Sequence, residues 1–160
     1  MSHRQLFRCI APFLLLVLAT PALASPAYVD LVDYPYDEAN WDRFYDLEGR
    51  LQHGFDNICG DTFCEGEYSD IRALRLRCSV DTARATVHEC VWAFAASDMQ
   101  VSATDGRVVA RQPTWLCALP LAPGTTVEAF HASLAARDPL HDPLPGTRDS
   151  VYDGLTDCIH

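Results

Sequence analysis

The feature of this sequence that most suggests chemistry is a concentration of acidic and aromatic side chains near its beginning. Residues 28–70 contain 12 acidic residues but only two basic ones, Arg43 and Arg50. Carboxylates attract basic proteins over a distance, and aromatic residues among them are typical of positions that contribute much of the binding energy. We therefore predict a partner-binding surface in this region. Its predicted members are Asp30, Asp33, Tyr34, Tyr36, Asp37 and Glu38.

A second group of carboxylates lies between residues 56 and 70. Its members are Asp56, Asp61, Glu65, Glu67 and Asp70. Carboxylate oxygens bind calcium, and a pair of them can act as acid and base in glycoside hydrolysis. An EF-hand loop counted from Asp61 fails, because Phe63 and Arg72 occupy positions that require ligands. An irregular calcium site and a hydrolytic site remain as alternatives to the binding surface.

The common motifs for catalysis and for phosphate or metal binding do not occur in the sequence. The Gly-x-Ser-x-Gly, His-Glu-x-x-His and glycine-rich phosphate-binding patterns are absent. His131 lies among apolar residues at helical spacing, which is more typical of a half-buried structural histidine than of a catalytic one. We therefore predict no catalytic residue, no cofactor and no metal ligand, while the carboxylate alternatives leave enzymatic activity open.

The first residues indicate the compartment. Residues 1–24 have the features of a secretory signal peptide, because arginines precede a short apolar run and an Ala-Leu-Ala sequence follows at residues 22–24. Cleavage there would remove Cys9 and leave a single domain, residues 25–160. We predict a periplasmic or secreted protein that has no membrane association after cleavage.

The remaining cysteines predict three disulfide bonds. They are Cys59, Cys64, Cys78, Cys90, Cys117 and Cys158. An even number of cysteines in an exported chain favours disulfides and leaves no thiol for nucleophilic catalysis. Zinc is disfavoured, because the spacing of Cys59 and Cys64 is wide for a zinc finger and no matching histidine pair follows.

The elements that must position these residues follow from the hydrophobic spacing. Residues 25–36 are aromatic, acidic and interrupted by proline, which predicts an extended arm. Apolar residues then recur at three- and four-residue steps, which predicts an amphipathic helix over 38–57 with Asp37 as its N-cap. Both the arm and the helix belong to the acidic region.

Two stretches of alternating apolar residues next predict an antiparallel pair of strands. One register joins two cysteines and also brings the large apolar side chains to one face. Agreement between these two signals supports that register. The predicted opposite pairs are Leu74 with Phe94, Leu76 with Trp92, and Cys78 with Cys90.

Asp105-Gly106 is the strongest turn signal and predicts a two-residue type I′ hairpin. Near Ser97 the apolar positions change from even to odd numbers, and Pro113 cannot donate to a strand ladder. We predict a β-bulge there in a long bent strand, with four shorter strands as the alternative. The register places Val101 opposite Ala110, Trp92 opposite Leu119, and Phe94 opposite Cys117.

The last third of the chain predicts two helices. Thr125 and Glu128 match a capping box before a helix over 126–136, and Ser150 can cap a short final helix. The predicted fold is therefore α+β: an N-terminal helix, an antiparallel meander of three to four strands, and one or two C-terminal helices on the same sheet face.

The same topology predicts how the cysteines pair. Cys117 points toward the helix-covered face, and Cys158 lies on a helix that covers this face. A bridge between them is therefore favoured. The strand register favours the pair Cys78–Cys90, and elimination leaves Cys59–Cys64.

Charge and motif content together limit the function. A formal net charge of −10 argues against a nucleic-acid binder. We predict an exported, non-catalytic binding protein whose acidic N-terminal third engages a basic secreted or periplasmic protein, as an inhibitor or an immunity-type protein would. The alternatives are a small secreted hydrolase using the carboxylates of residues 56–70 and a calcium-stabilised structural module. No oligomeric state is predicted.

Overall fold

The structure is a computed structural model, and it describes residues 27–159. The predicted signal peptide, residues 1–24, lies outside the described residues. In the part of the chain that is described, no helix has the length and apolar character needed to cross a membrane. The described residues have the predicted α+β fold, with an N-terminal helix, an antiparallel sheet and two C-terminal helices.

Nine helices and strands are described, and two short 3-10 turns accompany them. In chain order they are β1 (Tyr28–Asp30), α1 (Glu38–Cys59), β2 (Arg72–Asp81), β3 (Thr86–Ala95), β4 (Asp98–Val101), β5 (Val108–Arg111), β6 (Thr114–Ala118), α2 (Val127–Leu134) and α3 (Val151–Thr156). The main sheet has the strand order β1-β2-β3-β6, and β4 and β5 form a separate two-stranded hairpin.

The first helix forms as its apolar spacing predicts. Asp37 is the N-cap, and its carboxylate accepts a hydrogen bond from the Asn40 backbone N–H at 2.7 Å. The helix ends at Cys59, two residues beyond the predicted boundary. Its buried apolar residues recur at three- and four-residue steps. They are Phe44, Leu47, Leu51, Phe55 and Cys59.

Part of the segment predicted as an extended arm, residues 28–30, is a strand of the sheet. Tyr28 to Asp30 form an edge strand that pairs antiparallel with β2. Leu31 then enters the core and is completely buried. The backbone of this segment thus satisfies its hydrogen bonds against β2, and its apolar side chain contributes to the core, so the segment has a fixed position.

The register between β2 and β3 is confirmed at two of its three predicted pairs. Leu76 lies opposite Trp92 and Cys78 lies opposite Cys90, whereas Phe94 pairs with Ala73. An irregularity between Ala73 and Leu76 shifts the register by one residue, and it leaves Leu74 exposed.

The carboxylate of Glu48 stabilises the strand at this irregularity. Its Oε1 atom accepts a hydrogen bond from the backbone N–H of Leu76 at 2.9 Å, and Glu48 is buried. A carboxylate from α1 therefore receives a strand N–H at the point where the ladder is irregular. Arg75 and Arg77 lie 3.4 and 3.8 Å from the same carboxylate and offset its charge.

The hairpin between β4 and β5 has a longer turn than predicted. Ser102 donates its backbone N–H to the carbonyl of Arg107 at 2.8 Å, which leaves four residues in the loop. A type I′ turn needs positive φ at both central residues, but only Gly106, with φ of 70°, has it. Val101 therefore pairs with Val108, and the predicted pair with Ala110 is wrong.

The longer turn displaces the predicted register of β6 by two residues. Trp92 lies opposite Cys117, and Phe94 lies opposite Trp115. Side chains alternate between the two faces with a period of two, so a two-residue shift leaves each side chain on its predicted face. Cys117 is accordingly buried.

The predicted bulge is wrong, and the alternative of four shorter strands is confirmed. Pairing stops after Ala95–Thr114 and resumes at Asp98–Arg111, so each strand skips two residues and neither gains an extra one. At the break, Ser97 donates its backbone N–H and its hydroxyl to the carboxylate of Asp70, at 3.0 and 2.6 Å.

The two C-terminal helices form with one change in capping. Thr126, rather than Thr125, is the N-cap of α2, and its hydroxyl accepts the Ala129 backbone N–H. Ser150 caps α3 and forms a capping box with Asp153, as predicted for Ser150.

The three helices cover one face of the sheet and share one core with it. The predicted disulfide pairing is confirmed: Cys59–Cys64, Cys78–Cys90 and Cys117–Cys158. The first bridge closes the loop after α1, the second joins β2 to β3, and the third joins β6 to the segment after α3. The largest completely buried side chains come from α1, α2 and β3. They are Trp92, Phe44, Phe55, Phe94 and Phe130.

Candidate functional site

Two of the six predicted partner-binding residues stabilise local structure. The Asp30 carboxylate accepts the backbone N–H of Val32 at the start of a 3-10 turn and lies 3.2 Å from the Nε of Arg77. Asp37 caps α1, as described above. Both side chains are therefore engaged within the fold, and replacing either would disturb the elements that carry the surface.

Of the other four predicted residues, Glu38 is the first residue of α1, and the other three precede the helix. The four differ in exposure. Tyr34 is half-buried and packs against the core. Asp33 and Glu38 are exposed. Tyr36 is 77% exposed, and its ring makes an edge contact with that of Trp41 at 5.3 Å between centroids. An exposed aromatic ring that is held by a second ring presents a preformed contact surface to a partner.

The structure extends this surface along α1, beyond the predicted residues. Glu38, Asp42 and Asp46 are exposed and are spaced four residues apart, so they form one row on the helix. Tyr45 is 51% exposed and lies beside this row. The sequence contains the signal for these additional residues, because they occupy helical positions that the apolar stripe leaves out. We name the set Asp33, Tyr36, Glu38, Asp42, Tyr45 and Asp46 the acidic surface.

Few positive charges offset the acidic surface. Arg50 lies 3.3 Å from Asp46, and Arg43 donates two 2.9 Å hydrogen bonds to Glu128 on α2. These are the only arginines in the first 44 described residues, 27–70, which contain 12 acidic residues. The row of Glu38, Asp42 and Asp46 therefore carries a net negative charge, which favours the approach of a positively charged molecule.

The carboxylates of residues 56–70 do not meet at one site, and three of them contact different partners. Asp70 accepts two hydrogen bonds from Ser97, and these bonds lower the pKa of its carboxyl group. Glu67 lies 2.5 Å from Arg111, and Asp56 lies 3.9 Å from Arg72. Among residues 27–159, no group of three or more histidine, cysteine or acidic side chains is placed to hold a metal ion.

His131 is buried between α1 and α2, as its position on the apolar stripe of α2 predicts. Its Nε2 atom has no hydrogen-bond partner among the described residues. Burial, followed by the positive charge of Arg43, lowers the pKa of His131 to about 4. The imidazole is therefore neutral at physiological pH, and it adds no positive charge beside the acidic surface.

We expect His131 to make the fold less stable in mild acid. Its pKa is about 6.5 in an unfolded chain and about 4 in the folded protein, so the unfolded state binds more protons between these values. The free energy of unfolding should fall by about 2–3 kcal/mol as the pH decreases from about 7 to about 4. Urea titrations at several pH values measure this loss.

The variant His131→Leu provides the control, because leucine fills a similar volume and does not titrate. Its free energy of unfolding should change little over the same pH range. Carboxyl groups whose pKa is lowered, such as that of Asp70, lose their contribution only below about pH 4. If the free energies of unfolding of the two proteins fall equally between pH 7 and pH 4.5, His131 is not the cause of the loss of stability in mild acid.

Comparisons of the chain with models of protein families, with curated proteins and with solved structures found no match. The function is therefore inferred from the chemistry of the described residues.

Proposed function

We propose that this chain is an exported, non-catalytic binding protein that engages a basic protein through the acidic surface of α1. An inhibitor or an immunity-type protein works in this way, by covering a positively charged site on another protein. The observation that carries the proposal is the row of Glu38, Asp42 and Asp46 beside the exposed rings of Tyr36 and Tyr45.

The composition of this surface is suited to fast and specific association. Exposed carboxylates steer a basic partner toward α1, and this attraction raises the association rate at low salt. Aromatic rings then supply contact area with little loss of conformational freedom. Three disulfide bonds hold the supporting fold, in agreement with the oxidising compartment that the proposal requires.

Reversal of charge on the acidic surface tests the proposal. The triple variant Asp33→Lys, Glu38→Lys and Asp42→Lys avoids the two capping residues, Asp30 and Asp37. The immobilised protein first recovers a basic partner from the medium or envelope fraction of its own cells. The purified partner is then titrated by calorimetry. We expect the triple variant to weaken binding at least about 100-fold, since each lost contact at such a surface contributes about 1 kcal/mol or more.

A matched control separates the surface from the total charge. The variant Asp142→Lys, Asp149→Lys and Asp157→Lys changes the net charge by the same amount at exposed positions in the last third of the chain. It should bind nearly as the unchanged protein does, and binding should weaken as salt rises from about 50 to 500 mM. Equal loss of affinity in both triple variants, or affinity that does not respond to salt, would refute the proposal.

A further inference from the structure

A cavity of about 230 Å³ lies beside β6, at the edge of the main sheet. Three aromatic side chains from separate parts of the chain line it: Phe63 from the loop after α1, Tyr68 from the segment before β2, and Trp115 from β6. The buried side chains of Ile71 and Ile159 line it as well. Pockets for drug-sized ligands measure about 300–1,000 Å³, so this cavity suits a small chemical group. We name it the aromatic cavity.

The rings of the aromatic cavity form walls that other contacts hold in position. The Tyr68 and Trp115 rings stand at 75° to each other, with 5.7 Å between their centroids. The Phe63 ring stacks on the ring of Phe55 in the core, also at 5.7 Å. All three lining rings are half-buried, so each is supported by the fold and keeps part of its surface open.

Two disulfide bonds hold the segments that carry these walls. The bridge between Cys59 and Cys64 closes the loop that contains Phe63. The bridge from Cys158 to β6 attaches the segment that contains Ile159. The aromatic cavity is therefore formed before a ligand arrives, and a preformed site loses little conformational freedom on binding.

The charge beside the aromatic cavity is negative. Among the described residues that line it, Glu67 alone is charged, and its carboxylate lies 2.5 Å from the guanidinium of Arg111. The same guanidinium lies 2.6 Å from the carboxylate of Asp98. Two carboxylates on one guanidinium leave one negative charge in excess. The Arg111 guanidinium also lies 6.0 Å from the centroid of the Tyr68 ring, so one wall of the cavity already accepts a cation.

We propose that the aromatic cavity binds the quaternary ammonium group of a small, choline-type cation. The face of an aromatic ring carries partial negative charge and attracts cations, and the methyl groups of a quaternary ammonium bury apolar area against the same rings. The excess carboxylate charge beside Tyr68 favours a cation over a neutral group of equal size. This inference goes beyond the proposed function, because it uses none of the residues of the acidic surface.

Two probes of nearly the same shape test the role of charge. One is choline, and the other is its neutral analogue, in which a carbon atom replaces the nitrogen. Titration calorimetry of the protein with each probe, from about 0.01 to about 10 mM, measures the two dissociation constants. We expect choline to bind at least about 10-fold more tightly than the neutral analogue. Equal affinity for the two probes, which would assign the cavity to an apolar group, or no choline binding at about 10 mM, would overturn the proposal.

Two pairs of variants test the position of the site. Trp115→Leu removes a ring from the aromatic cavity, and its control Tyr28→Leu removes a ring that is 50% exposed on β1. Glu67→Gln removes the charge that lines the cavity, and its control Asp142→Asn removes the same charge at an exposed position that does not line it. Circular dichroism measures whether each variant is folded.

We expect Trp115→Leu to weaken choline binding at least about 10-fold, and Glu67→Gln to weaken it about 3-fold. Glu67→Gln should leave the affinity for the neutral analogue unchanged, and both controls should bind choline as the unchanged protein does. If Trp115→Leu does not fold, the pair Glu67→Gln and Asp142→Asn decides the outcome. Choline affinities that are equal within both pairs of variants would overturn the proposal.

Discussion

Replacing both Cys117 and Cys158 with alanine should lower the free energy of unfolding by about 4 kcal/mol. This disulfide joins β6 to the segment after α3 across 41 residues. Cross-linking two distant residues reduces the conformational entropy of the unfolded chain, and the reduction grows with the length of the enclosed loop. The enclosed loop also contains both C-terminal helices. Loss of the disulfide should therefore loosen the attachment of these helices to the sheet.

The other two disulfides are matched controls for this prediction. Cys59 and Cys64 are only five residues apart, so replacing both with alanine should cost about 2 kcal/mol. The pair Cys78 and Cys90, 12 residues apart, should fall between the two values. Urea denaturation of the three double variants measures how much each loses in free energy of unfolding, and so gives the order of the three losses. If all three lose the same amount, loop length does not control their stability.

Replacing Phe55 with alanine should destabilise the protein by about 4 kcal/mol, because it leaves a cavity between α1 and the sheet. The Phe55 side chain is completely buried. Its ring centroid lies 4.8 Å from that of Phe94, 5.7 Å from that of Phe63 and 6.1 Å from that of Trp92. One side chain of α1 thus contacts two residues of β3 and the loop after the helix.

Two comparisons make the Phe55 prediction specific. Phe55→Leu retains most of the buried volume and should cost about 1–2 kcal/mol. Tyr45→Ala removes an aromatic ring from the exposed side of the same helix and should change stability by less than about 0.5 kcal/mol. Chemical denaturation gives all three values. A Phe55→Ala protein as stable as Tyr45→Ala would contradict the packing described here.

The acidic surface was only partly predictable from sequence. The concentration of acidic residues in 28–70 is a compositional fact, and helical spacing assigns Glu38, Asp42 and Asp46 to one row. The ion pair of Asp30 with Arg77 and the burial of Glu48 depend on contacts with β2, which is distant in sequence. Spacing identifies Asp37 as a cap, but it does not distinguish a carboxylate that pairs with a distant residue from one that faces solvent.

The register of β5 and β6 could not be predicted, because it depends on the geometry of one turn and one break. A two-residue turn at Asp105-Gly106 and a four-residue turn are both compatible with the sequence. The bonds from Ser97 to Asp70 interrupt the ladder without adding a residue.

The sequence by itself determined the three helices, the strands other than β1, the faces of α1, β2, β3 and β6 that enter the core, and the pairing of the cysteines. These properties depend on local periodicity, and a register error of two residues leaves them unchanged. Only the tertiary structure decided that residues 28–30 form an edge strand, that Glu48 is buried, and that the apolar side chains of the hairpin are exposed. Each of these depends on hydrogen bonds between residues far apart in the chain, which spacing along the chain does not encode.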